Sequence, residues 1–222
     1  MNIQLPFLLA IVSVIHLFCC YFKITKVQRA TKVFLMPLLL TIYLDLTSNK
    51  SKDDFPQRSN LIINGIIMGF SGDTLLLFGR PKIFLMGLVC FLIGHVLYMA
   101  EMLSRLEQYE NVYVFMILFL ITNIIYYFLF TRKLVHGFKG EMFGGGLVYG
   151  ITLCCLSSIA GFLAFNYRTL GHLLAFIGSA FFCLSDSILA VHAFVEPIHK
   201  GDFLVMSTYI LAETLIGVGL AI

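Results

Sequence analysis

Residues Gly171–Phe194 form the stretch GHLLAFIGSAFFCLSDSILAVHAF, which decides the fold because it is largely apolar and carries one acidic residue, Asp186. A helix needs about 20 mostly apolar residues to cross the hydrocarbon core of a bilayer. This stretch is long enough, and apart from Asp186 it contains no Asp, Glu, Lys or Arg. It therefore predicts a membrane-spanning helix that carries one carboxyl group inside the membrane.

The composition extends this interpretation to the whole chain of 222 residues. Hydrophobic residues make up 59% and charged residues 12%, whereas a typical soluble domain has about 25% charged residues. The mean hydropathy is +0.94. The net charge of +3 is small, so the chain lacks the basic footprint of a nucleic-acid-binding protein. These values predict a multi-pass membrane protein in contact with the lipid bilayer.

Eight apolar segments have about the length of a membrane span, although the second is short. They are Leu5–Tyr21, Lys32–Leu46, Leu61–Phe78, Lys82–Glu101, Val112–Phe130, Phe143–Phe165, Gly171–Phe194 and Asp202–Ala221. The connections between them are polar and too short to separate domains. We therefore expect an all-α fold, with residues 1–222 forming a single transmembrane domain of about eight helices.

The basic residues of the connections predict the orientation of the bundle, because cytosolic connections are enriched in lysine and arginine. The first, third, fifth and seventh connections carry Lys23, Lys26, Arg29, Lys32, Arg80, Lys82, Arg132, Lys133, Lys139 and Lys200. The opposite side carries Lys50, Lys52, Arg58, Arg105 and Arg168. We expect the more basic side to face the cytosol and both termini to lie on the other side.

A second intramembrane aspartate, Asp73, lies in the third apolar segment. A charged carboxylate at the bilayer centre costs about 2.5–3.5 kcal/mol even on the lenient insertion scale, so such residues usually serve a function. Both aspartates lie in spans that run toward the predicted cytosolic side, about 8–12 Å inside the helix end at 1.5 Å per residue. We therefore expect the two carboxyl groups at a similar depth.

The surroundings of the two aspartates form a weak internal repeat. Ser71–Leu76 resembles Leu184–Leu189. A tyrosine and a glutamate follow in each next span, namely Tyr98 with Glu101 and Tyr209 with Glu213. An even number of helices per unit gives parallel halves. The pattern predicts two parallel four-helix repeats, with a chance match of short polar motifs as the alternative.

Of two neighbouring buried carboxyl groups, one can act as an acid and the other as a base. Burial disfavours the charged form, and two carboxylates repel each other, so one can keep its proton while the other stays ionised. Enzymes use this arrangement to protonate an ether-type leaving group and to stabilise an oxocarbenium ion. We interpret Asp73 and Asp186 as a catalytic pair. The alternative is that each carboxyl caps or cross-links helices through neighbouring hydroxyl groups.

Other polar residues of the spans are candidates for substrate binding. Lys32, with Arg29 nearby, stands at the predicted cytosolic mouth and can bind a lipid phosphate, although an ordinary basic flank would have the same sequence. Helix–helix hydrogen bonding explains Ser207 and Thr208 equally well, and Glu213 is either a third site carboxylate or a partner within the bundle. The candidate binding residues are Lys32, His95, Tyr98, Ser207, Tyr209 and Glu213.

Metal or cofactor binding is not indicated by any motif. The chain has no His-x-x-x-His or His-Glu-x-x-His pattern, which are the spacings typical of zinc sites on a helix. We therefore predict neither a metal site nor a cofactor. A metal-assisted lipid hydrolase that uses an aspartate with His95 and His192 remains an alternative enzyme class.

Five short motifs follow one another in a familiar order: Thr31-Lys32 with Met36-Pro37, Gly72-Asp73, His95 with Tyr98, Ser185-Asp186 with Ala190 and Phe194, and Met206–Tyr209. In this order they resemble the lysoplasmalogenase family of eight-span membrane proteins, the YhhN-like group. Two positions depart from the family pattern. Val33 stands where a proline often follows the lysine, and His192 stands where relatives have asparagine.

This resemblance implies an enzyme that hydrolyses the vinyl ether bond of lysoplasmalogens. The substrate would be an alkenyl lysophospholipid with a choline or ethanolamine head group, and the products a fatty aldehyde and a glycerophospho-head group. The implied location is the endoplasmic reticulum of a eukaryote or the inner membrane of a bacterium. The resemblance leaves the head-group preference and the oligomeric state open.

A transporter or lipid-binding protein is the alternative from another class. In that case the aspartates would be proton or cation sites, which suits parallel halves with matched carboxyl groups. Transporters of this kind often have discontinuous helices at the binding site. Here no proline interrupts the segments around Asp73 and Asp186, so the sequence favours the hydrolase.

Overall fold

The computed structural model describes residues 3–48, 59–106, 112–126 and 141–222, and in these residues every regular element is an α-helix. The described helices are α1 (Gln4–Phe22), α2 (Thr25–Ser48), α3 (Asn60–Leu76), α4 (Pro81–Ser104), α5 (Val112–Tyr126), α6 (Glu141–Tyr167), α7 (Leu170–Phe194) and α8 (Gly201–Ala221). The predicted all-α bundle is confirmed.

Helices α1, α2, α4, α6, α7 and α8 are each long and apolar enough to cross a membrane. The two others, α3 and α5, are shorter apolar helices of 17 and 15 residues. Many large apolar side chains on α1, α4 and α5 remain exposed on the outside of the bundle, which is the surface that lipid covers. The chain is an integral membrane protein.

The second helix differs from the prediction. The sequence suggested a short span, Lys32–Leu46, after a basic connection, but α2 covers Thr25–Ser48 and has 24 residues. Only Lys23 and Ile24 separate it from α1. An apolar-run criterion misses the first turns of α2 because they are polar on one side, although no Gly or Pro interrupts them. Lys23 adopts a left-handed conformation with φ of 58°, which ends α1 in the usual way.

The predicted orientation depends partly on basic residues that lie outside the described residues. These are Lys50, Lys52 and Arg58 in one connection and Arg132, Lys133 and Lys139 in another. The assignment of one side to the cytosol therefore stays a prediction.

Helix neighbours in the first half of the chain recur in the second half. Helices α1 to α4 pack in the sequence α1–α2, α2–α3 and α3–α4, and α5 to α8 repeat these three contacts. Between the halves, α4 packs on α6 and α8 packs on α2. Two parallel repeats related by a two-fold axis would produce these equivalent contacts. Helix α8 also packs on α1, and the described residues show no α4–α5 contact of similar extent.

Small residues allow α7 and α8 to lie very close together. A Cβ atom on either Gly171 or Gly219 would lie 2.6 Å from the backbone oxygen of the other glycine, so neither position accepts a side chain without a shift of the backbone. Close packing through small residues is the usual way in which membrane helices associate. The contact holds α8 between α7 and the first half of the bundle.

Candidate functional site

Asp73 on α3 is buried and receives two polar partners from distant parts of the chain. Its side chain is 2% exposed, and its Oδ1 lies 3.2 Å from Nζ of Lys32 on α2. The hydroxyl group of Tyr209 on α8 donates a hydrogen bond to Oδ2 at 2.9 Å. A carboxylate with a cation and a donor at hydrogen-bond distance is stabilised in its ionised form.

Asp186 on α7 has different partners. The hydroxyl group of Tyr149 on α6 donates a short hydrogen bond to Oδ2. In the described ranges, no lysine, arginine or histidine forms an ion pair with this carboxyl group. Asp186 is half-buried and forms part of the wall of a cavity. Its surroundings therefore do not favour the ionised form as those of Asp73 do.

Glu213 on α8 is the third carboxyl group of the site. It is 2% exposed and accepts a hydrogen bond of 2.9 Å from the hydroxyl group of Tyr98 on α4, which is 1% exposed. Glu213 interacts electrostatically with both Asp73 and Asp186, and the two aspartates interact with each other. Three carboxyl groups therefore converge inside the bundle, each held by a tyrosine.

His95 lies beside this cluster and does not contact Asp73. Its ring centroid is 4.4 Å from that of Phe182 and 5.7 Å from that of Tyr149, both with edge-on geometry. The residue is 1% exposed, and among the described residues neither ring nitrogen has a hydrogen-bond partner. Unpaired buried nitrogen atoms are costly. His95 therefore offers two unused hydrogen-bonding positions next to the Tyr149–Asp186 pair.

Ser207 and Thr208 bond within their own helix. Ser207 donates to the backbone oxygen of Leu204 at 3.0 Å, and Thr208 donates to the same oxygen at 2.8 Å. The polar link between α7 and α8 comes instead from Ser185, which donates to the backbone oxygen of Val205 at 3.1 Å. Ser207, which the sequence predicted to contact substrate, does not line either of the two described pockets.

A pocket of about 290 Å³ opens where α2 and α8 begin and α3 ends. We call it the polar pocket. It is lined by Thr25, Gln28, Arg29, Lys32, Leu76, Leu77, Phe84, Leu189, Asp202, Val205 and Met206. Lys32 belongs both to this pocket and to the ion pair with Asp73. The polar pocket therefore leads to the Asp73 side of the carboxyl cluster.

A second space of about 510 Å³ lies between α4, α5, α6 and α7. We call it the apolar cavity. Its lining consists mainly of aliphatic and aromatic side chains together with Gly144, Gly145 and Gly146, and its polar groups belong to Tyr126, Tyr149 and Asp186. An elongated apolar ligand fits such a lining.

Phe84 and Leu189 line both spaces. Leu189 follows Asp186 by three positions, so both side chains lie on the same face of α7. The polar pocket and the apolar cavity therefore meet beside Asp186. This junction suits an amphipathic molecule that has a polar end, an apolar chain and a reactive bond between them.

The residues of the metal-assisted alternative are not brought together. In the part of the chain that the structure describes, no three His, Cys, Asp or Glu residues form a group suited to a metal ion. His192 accepts a hydrogen bond from the backbone N–H of Ile198 at 2.8 Å and lies 3.8 Å from Asp202. His95 lies elsewhere, inside the bundle.

Sequence reasoning missed Tyr149, Phe84 and Leu189. The only signal for Tyr149 is a tyrosine inside an apolar span between Gly146 and Gly150. Phe84 and Leu189 are ordinary apolar residues, so their place at the junction has no signal in the sequence. The repeat also suggested equivalent roles for Tyr98 and Tyr209, but one contacts Glu213 and the other Asp73.

Comparison with known proteins gives one match. The model of the YhhN family matches residues 27–220 of the chain. This region includes Lys32, both aspartates, His95 and the polar residues of α8. No curated protein and no solved structure matches the chain.

Proposed function

Because the chain belongs to the YhhN family, a family that includes lysoplasmalogenases, we propose that it is a membrane-embedded lysoplasmalogenase. Its substrates are alkenyl lysophospholipids of the choline and ethanolamine classes, and it releases a fatty aldehyde. The observation that carries the proposal is that Asp186, which interacts with Asp73 and Glu213, lies where a polar pocket meets an apolar cavity. A vinyl ether bond lies at the same kind of boundary, between the glycerol and the hydrocarbon chain.

We assign the acid role to Asp186. It lines the apolar cavity that would hold the alkenyl chain, and its partner among the described residues is the neutral Tyr149. A carboxyl group without a cation, close to two other carboxyl groups, favours its protonated form. Asp186 would transfer its proton to the vinyl carbon farther from the ether oxygen, and this transfer leaves an oxocarbenium ion.

We assign Asp73 the role of the ionised partner. Lys32 and Tyr209 hold its carboxylate, which would stabilise the positive charge of the oxocarbenium ion and accept a proton from the attacking water. Water adds to the carbon that bears the ether oxygen and gives a hemiacetal. The hemiacetal then breaks its bond to the glycerol oxygen, which takes the proton held by Asp73 and leaves as a hydroxyl group. The proton of the hemiacetal hydroxyl returns to Asp186, and the aldehyde remains in the apolar cavity.

The other candidate residues take supporting roles in this proposal. Tyr98 and Glu213 form a buried pair beside the reacting carboxyl groups, and His95 offers hydrogen-bonding positions for water or substrate next to Tyr149. Ser207 would contact only a substrate that reaches the outer turns of α8. The whole chain acts as one domain, located in the endoplasmic reticulum or a bacterial inner membrane, without a metal or cofactor.

The direct test is aldehyde release by the purified protein. Alkenyl and acyl lysophospholipids with the same head group and chain length are compared, and the aldehyde is measured by mass spectrometry. We expect aldehyde from the alkenyl lipid alone, because an acyl ester yields a fatty acid. Absence of aldehyde from a folded protein in several lipid environments would exclude the proposed activity.

A proton-linked transporter is the second candidate, because the recurring helix neighbours suit the parallel repeats of some transporters. Against it, α3 and α7 continue without interruption through Asp73 and Asp186. Liposomes that contain the protein and a pH-sensitive dye test this candidate. Proton movement that follows addition of a lysophospholipid, without aldehyde release, would favour transport.

A further inference from the structure

The polar pocket combines basic and acidic groups in a small volume. Arg29 and Lys32 on α2 provide positive charge, whereas Asp202 on the first turn of α8 provides negative charge. Thr25 and Gln28 add a hydroxyl and an amide group. A ligand that fills this pocket should itself carry charges of both signs.

Asp202 has hydrogen-bonding capacity that none of the described residues uses. Its side chain is 58% exposed, and Nε2 of His192, its partner in the described residues, lies 3.8 Å from its Oδ1, which is too far for a hydrogen bond. The basic residues behave differently. Lys32 is held by Asp73, while Arg29 is exposed and forms no ion pair with a described carboxylate.

We propose that the polar pocket is a head-group site for a phosphoethanolamine-type zwitterion, in which Arg29 binds the phosphate and Asp202 binds the primary ammonium group. The proposal rests on the proposed function, because the head group is that of the lipid whose chain enters the apolar cavity. It assigns head-group selectivity to Asp202.

The chemistry of the pocket favours a primary over a quaternary ammonium group. A primary ammonium has three N–H donors, and the carboxylate of Asp202, the hydroxyl group of Thr25 and the amide oxygen of Gln28 are three suitable acceptors. A choline group has no N–H donor and is usually bound by several aromatic rings. Among the described residues, Phe84 is the one aromatic residue that lines this pocket, so these residues do not form an aromatic cage.

An alternative role for Asp202 is purely structural. An acidic residue in the first turn of a helix interacts favourably with the helix dipole, and Asp202 occupies that position in α8. A structural role predicts that neutralising Asp202 changes stability and leaves the relative affinities for different head groups unchanged. Head-group selectivity therefore separates the two roles.

The experiment measures binding of non-cleavable lipids to the full-length protein in detergent, by native mass spectrometry. The lipids are saturated ether lysophospholipids with ethanolamine, monomethyl-, dimethyl- and trimethyl-ethanolamine head groups. We expect the affinity to fall as methyl groups replace N–H donors, by about tenfold from ethanolamine to choline, because charge-assisted hydrogen bonds are lost. Equal affinity across this series in the unmodified protein would overturn the proposal.

The variant Asp202→Asn should lower this tenfold affinity ratio, because the charge-assisted hydrogen bond from the ammonium N–H becomes a neutral one that is roughly half as strong, while the shape is kept. The matched control is Glu196→Gln, which neutralises an exposed carboxylate in the neighbouring connection and does not line the pocket. The control variant should keep the tenfold ratio of affinities between the ethanolamine and choline lipids. A ratio that survives in a folded Asp202→Asn variant would assign Asp202 to the structural role and contradict the proposal.

The variant Arg29→Gln tests the phosphate contact. It should weaken binding of all four lysophospholipids by a similar factor and leave binding of an alkylglycerol, which has no phosphate, unchanged. Soluble glycerophosphoethanolamine should compete with the lipid if the head group alone occupies the pocket. If glycerophosphoethanolamine does not compete and Arg29→Gln binds phospholipids as the unmodified protein does, the assignment of Arg29 as the phosphate ligand is wrong.

Failure of the head-group proposal can be distinguished from failure of the proposed hydrolysis, because binding is measured with ether lipids that cannot be cleaved. A protein that discriminates between head groups but releases no aldehyde would contradict the hydrolase proposal and support the head-group site. A protein that releases aldehyde equally from ethanolamine and choline lipids, with equal binding, would contradict the head-group proposal alone.

Discussion

Asp73 and Asp186 have similar neighbours in sequence but different neighbours in space. Asp73 is paired with a lysine and a tyrosine from two other helices, whereas Asp186 has a tyrosine from one other helix and faces an apolar cavity. In a membrane interior, a paired charge is far less costly than an isolated one. The comparison teaches that two carboxyl groups in matching sequence motifs can receive different electrostatic surroundings from the helices packed around them.

The largest effect on aldehyde release is expected from replacing Asp186, the proposed acid. Asp186→Asn should lower aldehyde release by at least about a hundredfold, the usual scale for losing a general acid or base. Asp73→Asn should also cause a loss of at least about a hundredfold, because the oxocarbenium ion loses its carboxylate. Both variants should fold, since asparagine is nearly isosteric and uncharged. Turnover close to that of the unmodified protein in either folded variant would remove that residue from the mechanism.

The Lys32–Asp73 pair offers a way to test the difference between the two carboxyl groups. From sequence, Lys32 was expected to bind the substrate phosphate. Such a contact is kept in both the ground state and the transition state, so it would mainly affect KM, but the contact of Lys32 with Asp73 predicts an effect on kcat as well. Lys32→Met leaves a buried charge unpaired, which costs about 3–5 kcal/mol. We expect a lower Tm and a kcat reduced by about tenfold or more.

The double variant Lys32→Met/Asp73→Asn should recover the Tm without recovering activity, because the unpaired charge has been removed. Lys26→Met is a matched control, since Lys26 lies on the same helix and is exposed. If Lys32→Met changes KM alone and leaves the Tm unaffected, the ion pair does not support the charge of Asp73.

Removing the hydroxyl group of Tyr149 or of Tyr209 also tests the difference between the two aspartates, with a smaller expected effect on kcat. Tyr149→Phe removes the hydrogen bond that Asp186 accepts, whereas Tyr209→Phe leaves Asp73 with Lys32. Loss of a hydrogen bond to a buried group costs about 1–3 kcal/mol. We therefore expect kcat to fall by about tenfold or more in Tyr149→Phe and by less in Tyr209→Phe.

The exposed Tyr113 provides the control Tyr113→Phe, for which kcat should not change. Equal losses of kcat in Tyr149→Phe and Tyr209→Phe would mean that the lysine gives Asp73 no additional support. The proposed difference between the two aspartates would then be wrong.

The smallest effect on activity is expected from variants that report orientation. Glu196→Cys lies at the end of the bundle that holds the polar pocket, and Ser104→Cys lies at the opposite end, both in exposed positions. With a membrane-impermeant thiol reagent, Ser104→Cys should react in sealed cells or vesicles of native orientation. Glu196→Cys should react only after the membrane is opened. The reverse pattern would place the pocket, and with it both aspartates, on the other side of the membrane.

The helices themselves were largely predictable from sequence. Long apolar runs produced eight segments close to the eight described helices, because a polypeptide inside lipid must satisfy its backbone hydrogen bonds within each helix. The start of α2 was missed because its first turns carry Lys26, Arg29 and other polar residues. Hydropathy identifies where a helix is surrounded by lipid, and it does not identify where the helix begins.

The sequence by itself determined the membrane class, the presence of two intramembrane carboxyl groups in matching motifs and the family resemblance. These properties depend on residue type and short spacing. Only the tertiary structure decided that Tyr209 contacts Asp73, 136 positions away, that Tyr149 contacts Asp186, and that Glu213 completes the cluster. Contacts of this kind depend on how each helix is rotated and packed against its neighbours, which periodicity in one apolar helix does not specify when every face is apolar.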